Sequence, residues 1–333
     1  MRCFFDVRQL AHAPEREFHN GAFVPFAESP ARAAAIQAAL GTLEPAWDHG
    51  EWPLRAVHSE AYLAFLWSAH QDWRAAGREG DAGGYAWPVV RRRPLDLERI
   101  DARLGQYSFD ASSPIAADTW EGANWSAQTA LTALDAVLAG DQAAFALCRP
   151  PGHHAGADYL GGYCYLNNAA IAAEAATAAG RRVAILDIDY HHGNGTQDVF
   201  YARGDVLFVS IHADPKMDYP YFWGHPDETG EGAGEGATLN LPLPRGTDLA
   251  AYLPALEQAL GRIAAFAPDL LVISYGADTF AGDPISHFRL ETADYRAIAR
   301  RIASLGKQSL IVMEGGYAVD ALGANVAAFL DGF

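Results

Sequence analysis

Short apolar runs at residues 143–147, 182–188, 206–211, 269–275 and 309–313 are rich in β-branched side chains and too brief to be convincing helices, so each predicts a buried strand. Between them the apolar positions recur at helical spacing over 30–40, 59–70, 119–138, 165–179, 249–265, 292–304 and 320–330. Strands alternating with helices predict an α/β fold with a central, mainly parallel sheet flanked by helices. The alternation runs across residues 1–333 without a linker, which predicts a single domain. Irregular stretches remain at 75–94, 150–162 and 214–242, and the first of these is long, Gly-rich and then basic.

Charge narrows the partners. The 333 residues carry a formal net charge of −17 with only 24 Lys and Arg, which argues against a nucleic-acid or anionic-membrane partner and favours a small cationic substrate. Cys3, Cys148 and Cys164 have no CxxC spacing, so neither a disulfide framework nor a thiolate zinc site is expected, and a reducing cytoplasm is. No run reaches the roughly 18 apolar residues of a membrane span.

The polar residues with chemical meaning cluster at the ends of the apolar runs. In Leu-Asp-Ile-Asp-Tyr-His-His-Gly-Asn-Gly-Thr (186–196), Asp187, Asp189 and His191 alternate and can share one face of an extended chain. Ligands of parallel sheets bind outside the carboxyl ends of the strands, and two carboxylates buried there call for a cation. A catalytic zinc keeps three protein ligands and one open position. Asp189 and His191 supply two, and Asp278 in ISYGAD is the best third candidate, although alone it could equally cap a helix. Two further strand ends contribute His153-His154 after Pro-Pro-Gly, and Tyr317 after Glu-Gly-Gly. The pair offers a base and the phenol an oxyanion donor. GxxxxGK[ST], GxGxxG and GxSxG patterns are absent, which disfavours nucleotide phosphate, dinucleotide and serine hydrolase sites.

RPPGHHA (149–155), GGYCYLNNAA (161–170), LDIDYHHGNGTQ (186–197), VSIHADP (209–215), GADTFAGDP (276–284) and MEGGY (313–317) together resemble the histone deacetylase and acetylpolyamine amidohydrolase family. DYHHGNGTQDVFYARGD, TWEG at 119–122 and the insertion at 75–94 are most similar to the bacterial acetylpolyamine amidohydrolase branch. The resemblance implies an arginase-like α/β fold and zinc-dependent deacetylation of acetylated polyamines or short diamines. A protein acetyl-lysine deacetylase is the nearest alternative, and a non-catalytic binder of acetylated amines a more distant one. It places zinc on Asp189, His191 and Asp278, a set that iron(II) or cobalt could also occupy. It makes His154 the general base, with Asn194 its partner, and gives His153, backed by Asp187, a more electrostatic role. Tyr317 would bind the acetyl carbonyl, and Gly162, Tyr163 and Tyr219 would wall the substrate slot. A structural potassium site is implied at Asp187, Asp189, His191, Ser210 and the carbonyl of Ile211. At the mouth, where polyamine-type members carry acids, the aligned positions hold Asp101 and Ser112, with Asp110 or Glu121 as alternative acids. The insertion would form a homodimer, and Tyr275 replaces the family's usual leucine.

Overall fold

The computed structural model describes residues 1–88 and 95–333; the end of the 75–94 insertion, residues 89–94, lies outside the described residues. The strands are β1 (Arg2–Phe4), β2 (Arg16–His19), β3 (Ala22–Pro25), β4 (Ala143–Ala146), β5 (Val183–Asp187), β6 (Val206–Ala213), β7 (Thr238–Leu243), β8 (Leu270–Tyr275) and β9 (Gln308–Met313). Seven of them form one parallel sheet in the order β1-β4-β9-β8-β5-β6-β7. Each predicted strand is present within about two residues at either end. The edge strands β1 and β7 go beyond the prediction. β7 contains Pro242 and is only partly buried, as an edge strand can be.

The helices are α1 (Ala31–Leu40), α2 (Trp52–Arg55), α3 (Glu60–Ala75), α4 (Ile100–Gln106), α5 (Thr119–Leu138), α6 (Asn168–Ala178), α7 (Asn194–Phe200), α8 (Leu249–Phe266), α9 (Thr292–Ala303) and α10 (Val319–Leu330). α6 starts three residues later than its apolar pattern suggests, because the Asn167 side chain accepts the Ala170 amide at 2.9 Å and caps it there. Helices cover both faces of the sheet, so β5 and β8 are buried on both sides and lie between two apolar clusters. Tyr275 belongs to one of these: its ring stacks on Phe329 at 4.0 Å and its hydroxyl reaches the Asn325 carbonyl at 3.3 Å, a core role that takes it away from the strand-end chemistry. Among the described residues no helix is long and apolar enough to cross a membrane.

A small hairpin, β2–β3, lies outside the main sheet. Its turn is Asn20-Gly21, both at positive φ (49° and 83°), a dipeptide suited to a two-residue hairpin turn. The hairpin inverts the usual pattern, exposing Phe18 and burying Glu17.

One buried ion cluster ties α1 to the strand ends. Glu28 Oε1 lies 2.6 Å from Arg32 Nη1 and 3.2 Å from Arg149 Nε, with all three side chains buried. Arg32 in turn donates to the carbonyls of Glu314 (2.5 Å) and Gly316 (2.6 Å). Removing the shared carboxylate charge leaves two guanidiniums without their counter-ion. Glu28→Gln is therefore expected to destabilise the fold by about 3–5 kcal/mol in denaturant unfolding. Arg149 donates to the carbonyls of Gln9 and Glu28, each at 2.9 Å, so a loss under about 1 kcal/mol would show that carbonyl contacts alone hold both arginines.

Candidate active site at the carboxyl ends of the sheet

The chain leaves β5 through Asp189 and His191 and leaves β8 through Gly276 and Asp278, so adjacent strands deliver three ligand-type side chains to one point. One donor atom from each of Asp189, His191 and Asp278 lies within 4.8 Å of the others. His191 turns Nδ1 toward Asp278 Oδ2 (3.0 Å) and Asp189 Oδ1 (3.3 Å). Backbone amides fix the carboxylates: Tyr190 N–H donates to Asp278 Oδ1 at 2.9 Å, and Gly315 N–H to Asp189 Oδ2 at 2.8 Å. A Cβ at Gly276 would run into the Asp189 carboxylate, so that approach requires glycine.

Burial and the neighbouring charge of Asp189 push the Asp278 carboxyl upward, a mark of two acids that cannot both ionise comfortably. A cation removes the conflict. Two oxygens and an imidazole nitrogen suit zinc, iron(II) or cobalt, so the residues fit the metal expected of them.

The two histidines at the end of β4 differ in their support. His153 Nδ1 pairs with Asp187 Oδ2 at 3.0 Å, whereas His154 Nδ1 meets the neutral Asn194 Oδ1 at 2.6 Å. Burial disfavours charge on both rings. For His153 the Asp187 and Asp189 carboxylates outweigh burial and hold its pKa at about 10. For His154 burial is reinforced by the positive charges of His153 and His191, which keep it well below the usual imidazole range. With Nδ1–H donated to Asn194, neutral His154 keeps an acceptor at Nε2.

Tyr317 is held from three sides. Its amide donates to Asp283 Oδ2 at 2.7 Å, the Arg32 guanidinium lies 4.9 Å from its ring centroid, and the Tyr163 ring is 5.5 Å away. Burial keeps its hydroxyl protonated, with a pKa well above 10 despite Arg32.

A slot of about 360 Å³ opens above these groups and is lined by His154, His191 and Tyr317 below and by Gly162, Tyr163 and Tyr219 along its sides. Tyr163 sits at φ 66°, an unusual conformation for a bulky residue. Its amide is anchored to Ser113 Oγ at 2.8 Å and its hydroxyl to Glu17 Oε1 at 2.9 Å. Asp110 holds the opposite wall: its Oδ2 accepts the Tyr219 hydroxyl and the Gly162 amide, each at 2.8 Å.

The mouth is where the sequence expectation needs correction. Ser112 lines the slot and donates to Asp110 Oδ2 at 2.8 Å. Asp101 does not line it. α4 turns that side chain toward Arg78 and Arg99, which neutralise it in a separate hollow. Glu121 is on α5 and also lies outside the slot lining. The acids lining the slot are Asp110, which the sequence offered as an alternative, and Asp218, which it did not offer and which Arg245 pairs at 2.9 Å; Glu17 stands behind the Tyr163 hydroxyl and lines the neighbouring groove. The signal for Glu17 was the hairpin turn at Asn20-Gly21. A larger groove of about 1030 Å³ runs beside the hairpin past Phe23, Trp73, Tyr85 and Trp87, away from the ligand triad.

A parallel sheet that gathers three ligand-type side chains, a pair of unlike imidazoles and a phenol beneath a narrow slot has the features of a metal-dependent hydrolase built on a central parallel sheet. More particularly, the histone deacetylase domain matches residues 27–333, and the chain belongs to that family of enzymes acting on amide bonds. It is 50% identical over 339 residues to acetylpolyamine amidohydrolase 2 of Pseudomonas aeruginosa, covering 100% of this chain and 98% of that one. It is 45% identical over 339 residues to the acetylpolyamine amidohydrolase of Mycoplana ramosa, covering 100% and 99%. The crystal structure of acetylpolyamine aminohydrolase from Burkholderia pseudomallei superposes with a TM-score of 0.95 at 42% identity, covering 100% of this chain and 98% of that one.

Proposed function

We propose that the chain is a zinc-dependent amidohydrolase that removes acetyl groups from acetylated polyamines or short diamines. The observation that carries this reading is Asp110, a carboxylate that lines the slot and accepts the Tyr219 hydroxyl, with Glu17 set behind the Tyr163 hydroxyl on the other wall. An alkyl chain lies between the aromatic faces while its distal ammonium meets negative charge. Zinc held by Asp189, His191 and Asp278 would lend Lewis acidity to the acetyl carbonyl and to a water. His154 takes the proton from the attacking water at Nε2 and returns it to the leaving amine nitrogen. His153, kept cationic by Asp187, offsets the negative charge that develops beside it. The Tyr317 hydroxyl donates to the carbonyl oxygen as that oxygen gains charge.

Two accompanying features belong to the same proposal. Asp187 and Ser210 face each other in the register of β5 and β6, and with Asp189, His191 and Ile211 they form the oxygen-rich potassium site. The groove beside the hairpin, flanked by the first part of the 75–94 insertion, is the homodimer surface.

The test compares kcat/KM for acetylputrescine, acetylcadaverine, acetylspermidine and an acetyl-lysine peptide on zinc-loaded and chelated protein. Free amines are expected to be preferred, with turnover lost on chelation. Asp110→Asn should erode that preference by about tenfold, the scale of one charge-assisted hydrogen bond, while Asp101→Asn should leave it within about twofold. Equal or better turnover of the peptide would favour a protein acetyl-lysine deacetylase instead.

A further inference from the structure

A second group of metal-ligating side chains lies behind the tandem histidines, and nothing in the reaction above uses it as a group. His153, Cys164 and Glu314 each bring a donor atom within 4.8 Å of the others, and all three residues are buried. They come from separate segments: the loop after β4, the loop before α6 and the end of β9. Glu314 Oε2 accepts the Gly152 and His153 amides at 2.7 and 3.1 Å, which fixes the carboxylate in place. Its other oxygen, Oε1, is buried without a hydrogen-bond partner. Cys164 Sγ donates to the Gly162 carbonyl at 3.4 Å, a weak bond that a metal can replace.

An orphaned carboxylate oxygen, a thiol and an imidazole converging in a sealed space make a ligand set unlike the triad of Asp189, His191 and Asp278. The triad has no sulfur. The second set does, and one thiolate with one imidazole and one carboxylate selects borderline or soft divalent ions over magnesium or calcium. The thiol and the imidazole must release their protons for an ion to bind. Burial and the neighbouring Glu314 carboxylate both hold the Cys164 thiol protonated, so an arriving cation must displace that proton.

We propose that His153, Cys164 and Glu314 form a second, inhibitory site for a thiophilic divalent cation such as cadmium or excess zinc. Occupancy takes the His153 imidazole out of its place beside His154 and ties together the loops that carry the base and Tyr317. Because the three ligands are closed to solvent, onset is slow and follows local opening of the loops.

The probe is cadmium chloride, added to protein holding one equivalent of zinc in a Cys3→Ser background, which removes the half-buried thiol. Binding is followed by equilibrium dialysis with metal analysis, by the ultraviolet thiolate-to-cadmium absorption and by turnover. A second equivalent is expected to bind with zinc retained, the absorption growing in step with the loss of turnover. Cys164→Ser should abolish the absorption and raise the inhibitory concentration by about tenfold or more, and Glu314→Gln should raise it by a similar factor. Inhibition without the absorption, an absorption that survives Cys164→Ser, or cadmium exchanging for zinc at one equivalent in total would overturn the site. Dialysis and absorption need no turnover, so they decide the question even where a variant is inactive or the proposed substrate is wrong.

Discussion

His154→Ala is expected to lower kcat by about 10²–10⁴-fold, the range for loss of a positioned general acid–base, with KM for an acetylated diamine little changed. The asymmetry of the histidine pair is the reason. Asn194 accepts the Nδ1 proton of His154, while burial and the charge on His153 keep the ring neutral, so Nε2 is free to accept a proton. His153 is tied to the Asp187 carboxylate and remains protonated, so it cannot take the proton in its neighbour's place. The rings are 4.1 Å apart, close enough for the charge on one to suppress charge on the other. Steady-state kinetics of the folded, metal-loaded variant decide the matter. A loss below about tenfold would move the base elsewhere, with His153 the next group to replace.

The places of these side chains in the fold were accessible from sequence because β5, β8 and β9 are buried on both faces. Such strands read as uninterrupted apolar runs, and whatever polar residue follows them sits at the ligand-binding edge of the sheet. Asp189, His191, Asp278 and Tyr317 all follow runs of that kind. The mouth was less legible. Glu17 reaches the back of the Tyr163 wall from a hairpin far away in sequence, where its inward turn reverses the normal burial pattern. Asp101 shows the opposite case: one turn of a short polar helix decides whether its carboxylate faces the slot or two arginines, and no periodicity records that choice. Charge alone favoured a small cationic substrate as an expectation, while only the packing separates acids beside the slot from acids elsewhere.

Tyr317→Phe tests the other half of the chemistry, because it removes one hydroxyl and leaves the ring and its supports in place. Asp283 grips the backbone amide rather than the side chain, Tyr163 packs on the ring, and Arg32 lies against it through carbonyl bonds that phenylalanine does not disturb. Fold and slot should therefore survive, and KM should move little. The hydroxyl itself stays protonated in its buried position and can donate to an oxygen that becomes negative only as the amide is attacked. A donor of that kind is worth more in the transition state than in the bound substrate, so kcat should fall by about 10²–10³-fold. Equal losses in kcat and kcat/KM would fit this role. A rise in KM at unchanged kcat would instead make Tyr317 a binding group for the acetyl end, and full turnover would leave the carbonyl oxygen to be stabilised without it.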